Sequence, residues 1–86
     1  MGRNQGARPK PSDDEKQAIH HVLYFYDAPG GYEPGSFTQH LMIAYSQADP
    51  QNKAKLRLGF PEIAWAMDMV SQVPDGIKVI TERLEA

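Results

Sequence analysis

Asp49-Pro50-Gln51-Asn52-Lys53-Ala54-Lys55-Leu56-Arg57-Leu58-Gly59 is the stretch on which the fold class turns. From Lys53 to Leu58 polar and apolar residues alternate, which is the period of a half-buried strand. The flanks say otherwise. Asp49 is a capping residue followed by Pro50, whose fixed φ and missing N–H suit the first position of a helix. Lys, Ala, Leu and Arg all propagate helix well, and Gly59 is a common helix end. A single short strand would also need a partner, and no second stretch offers one. The segment therefore reads as a helix over 50–58, and the chain with it as all-α.

The same punctuation continues downstream. Phe60-Pro61-Glu62 opens another helix with proline at its first position, over 61–73. Ile63, Ala66, Met67, Val70 and Val73 recur on one of its faces. Pro74-Asp75-Gly76 breaks it, and Asp75 is the expected cap of a last helix over 76–85 carrying Ile77, Ile80 and Leu84. Glu82 and Glu85 oppose the dipole at its end, so that end should fray.

Upstream, Ser36 is the expected cap of a helix over 36–48 with Phe37, Leu41, Ala44, Tyr45 and Ala48 as its buried stripe and Met42 beside it. Asp27 to Gly35 is a turn-rich loop. Before it, Ser12 and Glu15 have the spacing of a capping box, and Asp13, Asp14 and Glu15 complement the dipole of a first helix over 13–27. Ala18, Ile19, Val22, Leu23 and Tyr26 form its apolar face. The expected fold is thus a compact bundle of about five short helices joined by Pro/Gly turns. Its core should hold Ile19, Val22, Leu23, Phe37, Leu41, Tyr45, Leu56, Phe60, Met67, Val70 and Ile80.

Composition bounds the function. With 86 residues, 41% of them hydrophobic, the chain suffices for one domain with a thin core. Residues 1–11 carry Arg3, Arg8 and Lys10 with no acid and no apolar period, and read as a disordered basic tail. Residues 12–86, the single helical domain, keep six of the nine Lys/Arg against all eleven Asp/Glu. An acidic body argues against nucleic acid as a partner. The absence of cysteine excludes disulfides and thiolate chemistry. No apolar run has the roughly 20 residues of a membrane span, and no secretory leader is visible, so a cytoplasmic location is expected.

No catalytic, cofactor or metal site is expected. Adjacent His20 and His21 diverge by about 100° on a helix, and His40 stands apart from both. The serines lack any nucleophile motif, and Gly30-Gly31 with Pro34-Gly35 lacks the Gly-Lys-Ser/Thr ending of a phosphate loop. Lys53 and Arg57, one turn apart, read as a solvated helix face beside Lys55. What stands out is an apolar surplus: Tyr24 and Phe25 on the first helix and Trp65 and Met69 on the fourth exceed one inward stripe per helix. These four residues are the candidate protein-binding surface, since aromatic and Met side chains are enriched at interfaces.

From residue 31 to 76 the sequence also resembles a family. The likeness rests on Tyr32, Pro34-Gly35 with Phe37, Leu41, Ala48-Asp49 with Asn52, Leu56, Phe60-Pro61 and Asp75-Gly76. These are similar to small accessory proteins of bacteriophages infecting actinobacteria such as mycobacteria, a family with no assigned reaction. The resemblance implies a non-enzymatic viral protein acting in the host cytoplasm by binding a host protein and modifying host physiology or growth. The thin core and the surplus apolar area separately make a homodimer an expected form of self-association. A small helical nucleic-acid-binding or regulatory protein is the alternative.

Overall fold

The computed structural model describes residues 9–86, and among them the chain forms five helices and no strand. These are α1 (Asp13–Phe25), α2 (Ser36–Gln47), α3 (Pro50–Gly59), α4 (Pro61–Gln72) and α5 (Gly76–Arg83). The stretch 50–59 is helical, so the capping signal overrides the alternating pattern.

Local chemistry accounts for most of the helix ends. The Ser12 hydroxyl accepts from the Glu15 amide at 3.1 Å, and the Asp49 carboxylate from the Asn52 amide at 2.8 Å. Each occupies an amide that the helix itself leaves unpaired. Phe60 serves as both the end of α3 and the start of α4, so a single residue turns the corner between them. Two expected caps differ. Gly35, not Ser36, is the capping residue of α2, and Ser36 is already helical. Asp75 occupies the capping position of α5 but makes no side-chain hydrogen bond there, because its backbone (φ −106°, ψ 38°) lies outside the extended region that capping requires.

Helix α4 packs against all four other helices, most extensively against α1. The core joins Ile19, Val22 and Leu23 of α1, Met42 and Tyr45 of α2, Ala64, Ala66 and Met67 of α4, and Ile80 of α5. Fully burying a Leu, Ile or Met side chain contributes about 1.5–3 kcal/mol. Two glycines allow the close approaches. A side chain on Gly31 would collide with the α1 backbone at Tyr24, and one on Gly76 with the α4 backbone at Met69 and Val70. The α4–α5 corner is thus drawn tight by Gly76.

The core departs from expectation on α2. Phe37 is 67% exposed, Ala44 is exposed, and Ala48 and Leu41 are half-buried, while Met42 is fully buried. The helix is rotated by about one residue, or about 100°, from the expected stripe. Its apolar residues spread over an arc wider than one stripe, with Ile43 outside it, so period alone does not choose the face; packing against α1 and α4 does. Leu56, Phe60 and Val70 are half-buried at the margin of the core.

Two ionic ties link distant parts of the chain. Arg83 on α5 donates to Glu15 on α1 at 2.8 Å, with both side chains about nine-tenths buried. Arg83 also donates to the Pro9 carbonyl, and Pro11 is buried. The described part of the expected tail, Pro9 to Pro11, is therefore packed on the domain, because Arg83 supplies its carbonyl with a donor. Residues 1–8 of that tail lie outside the described residues. The second tie, between Arg57 and Asp68, joins α3 to α4.

Candidate functional site

The four residues singled out as a binding surface have unequal fates. Tyr24 is 41% exposed. Phe25, Trp65 and Met69 are half-buried and packed against the core. The Phe25 ring meets Tyr26 edge-on with centroids 5.2 Å apart. Trp65 lines a shallow hollow with Glu15, Pro61 and Glu62. Much of the apolar surplus is thus absorbed by the packing of α1 against α4, the two helices with more than one buried side.

The densest polar cluster lies where α2, α3 and α4 meet. Tyr45 donates its hydroxyl proton to Asp68 Oδ1 at 2.8 Å, and Arg57 Nε donates to Asp68 Oδ2 at 3.0 Å. Lys53 and Arg57 approach the Tyr45 ring at 5.5 and 6.0 Å from its centroid, within cation–π range. Burial, reinforced by the hydrogen bond to Asp68, pushes the Tyr45 phenol up to about 12. Burial and the same carboxylate also raise Tyr26. A phenol held protonated against a paired carboxylate is neither a nucleophile nor a base near neutral pH. The cluster pins helices together, and two of the three residues of the basic cluster on α3 are spent on it.

A second cluster fixes the loop after α1. The His20 ring stacks on Tyr32 with centroids 4.0 Å apart and planes 10° apart, and His20 Nδ1 lies 2.8 Å from the Gly30 carbonyl. The contact requires the proton on Nδ1, which therefore donates. The Tyr32 amide returns a hydrogen bond to the His20 carbonyl at 3.0 Å. The glycines of this loop serve turn and packing rather than phosphate. Partial burial, with the neighbouring His20 second, lowers the His21 pKa, so His21 is neutral at pH 7.

Among the described residues no group of three or more His, Asp or Glu side chains is placed to hold a metal ion. Ser46 and Ser71 donate to backbone carbonyls within their own helices, and Ser12 is a cap. Ser12, Ser46, Ser71, His20, Tyr45 and Asp68 thus make structural contacts.

The surface also carries hollows. A groove of about 390 Å³ opens between α1, the start of α2 and the α3–α4 corner. Ala18, Phe37, Leu41, Phe60 and Ile63 line it together with the polar side chains of Asp14, Gln17, His21, Thr38 and Glu62, so the groove is more polar than apolar. Phe37 and Phe60 lie with ring centroids 5.9 Å apart. Leu58, which precedes the lining residue Gly59 in the chain, is 87% exposed. Sequence reading missed it, although the signal was present: Leu58 lies about 200° around the helix from Leu56, which faces the core. Tyr32, at 60% exposure, was missed for a different reason, since loop residues have no period to read.

Comparison with protein-family models, with curated proteins and with solved structures finds no match for the chain.

Proposed function

We propose that this chain is a non-enzymatic accessory protein that works by protein–protein interaction. The observation that carries this reading is the division of labour among its side chains. Ser12, Glu15, His20, Tyr45, Asp49 and Asp68 are engaged in caps, ties and loop contacts, while Tyr32, Phe37 and Leu58 stand 60, 67 and 87% exposed. Large apolar side chains in solvent cost nothing individually but mark contact surfaces when they gather. Tyr24 is the exposed member of the surface expected from sequence, while Phe25, Trp65 and Met69 pack against the core. Placement in a phage-infected host cytoplasm, with a host protein as target and host growth as the process modified, rests on the family resemblance.

The test is affinity capture from mycobacterial lysate, followed by reconstitution with the purified captured protein. Tyr24→Ala should weaken the reconstituted complex at least tenfold while the circular dichroism spectrum is unchanged. A complex indifferent to Tyr24→Ala would remove this surface. Salt-sensitive binding to duplex DNA with no protein complex would favour the nucleic-acid alternative.

A further inference from the structure

We propose that the hollow formed by Glu15, Pro61, Glu62 and Trp65 is the docking site of the basic segment at the start of this same chain, residues 1–8, with the Arg8 guanidinium set against the Trp65 ring and the Glu62 carboxylate. The hollow lies between the opening turns of α1 and α4. Its volume of about 180 Å³ is well below the roughly 300 Å³ at which small-molecule pockets begin, and suits one long side chain. The lining combines an indole ring and a proline with two carboxylates, and no lysine or arginine is among the described residues that line it. A flat aromatic face flanked by carboxylates is what a guanidinium recognises, since it stacks on the ring while its N–H groups donate outward to oxygen.

The course of the chain selects the occupant. Arg83 Nη2 donates both to the Pro9 carbonyl and to Glu15 Oε1, so Pro9 sits beside a residue that lines the hollow. Pro11 is buried, which fixes the path of the chain towards that point. Arg8 is the next residue, its Cα about 3.8 Å from that of Pro9. The segment it belongs to carries Arg3 and Arg8 and no acid, so its charge is complementary to the hollow. Glu15 is matched by Arg83, whereas no lysine or arginine of the described residues pairs with Glu62. Tethering adds to this complementarity. A segment joined to its site by a short connection meets it at an effective concentration in the millimolar range, so a contact too weak to hold a free peptide holds this one. The docked segment covers Trp65 and leaves Tyr24, about 13 Å further along α1 than Glu15, open to a partner.

Trp65 is the single tryptophan of the chain, so its fluorescence reports on the hollow directly. The experiment is acrylamide quenching of the full chain at low salt. Arg8→Glu should raise the quenching constant about twofold or more, with the circular dichroism spectrum unchanged. Glu62→Lys should raise it similarly. Combining Arg8→Glu with Glu62→Lys should restore the protection, because opposite charges then face each other again. Identical quenching of wild type and Arg8→Glu overturns the inference, as does a double variant no better protected than either single one. Tyr24→Ala should leave this readout unmoved, so the docked segment and the host-protein complex are tested separately.

Discussion

Helices α3 and α4 begin alike and end up in opposite positions. Each opens with proline at its first helical residue, they share Phe60 as a junction, and they are 10 and 12 residues long. Yet α4 buries Ala64, Ala66 and Met67 and touches every other helix, whereas α3 has no fully buried residue. The apolar residues of α4 surround it, with alanines small enough for neighbours to approach on two sides. On α3 only Leu56 packs against the core, and the helix is held by its cap, by the Arg57–Asp68 pair and by cations over the Tyr45 ring. The lesson is that capping signals suffice to specify a helix, while burial decides whether that helix carries the stability of the domain.

The comparison breaks most sharply at Met67. Met67→Ala removes a side chain only 2% exposed and should cost about 2–5 kcal/mol, enough to unfold much of so small a domain. Urea titration followed by circular dichroism would show it, and near wild-type stability would mean that α4 is not the hub. Gly76→Ala tests the same helix from outside. The added methyl meets the α4 backbone at Met69 and Val70, so α5 must shift, at a cost of about 1–3 kcal/mol by thermal melting.

Tyr45→Phe probes what holds α3 in place. It removes the hydroxyl from Asp68 and should cost about 0.5–1.5 kcal/mol at neutral pH. The wild type also carries a pH signature. The folded phenol is raised from the ordinary value near 10 to about 12, so the protonated form is favoured by folding. That contribution is fully present below about pH 10 and is lost as the pH rises through about 12. Denaturant midpoints of wild type and Tyr45→Phe should therefore converge over this interval, and parallel curves would contradict the assignment. At the small end stands Leu58→Ala. With its side chain 87% exposed it should change stability by no more than about 0.5 kcal/mol, despite lying two residues from Leu56.

How much was legible before the structure differs by region for the same reason. Helices α1, α3 and α4 were readable because their start signals, Ser12, Asp49-Pro50 and Phe60-Pro61, act within a few residues of themselves. The buried faces of α1 and α4 were readable where one stripe dominated, as at Ile19, Val22 and Leu23. On α2 no stripe dominates, and Phe37 and Met42 exchanged places. The candidate surface suffered from the same ambiguity, since nothing local separates the exposed Tyr24 from the half-buried Phe25, Trp65 and Met69.

By itself the sequence determined that the chain is helical, where the helices begin and stop, and that disulfide and thiolate chemistry are absent. These follow from backbone preferences, capping hydrogen bonds and composition, all of short range. Tertiary structure alone decided which side of α2 turns inward, that Arg83 reaches Glu15 across 68 residues, and that Tyr45 and Arg57 converge on Asp68. It also left Leu58 in solvent and brought Asp14 and Glu62 to one groove. Those outcomes depend on shape complementarity and on pairing between groups far apart in the chain, and no local period encodes either.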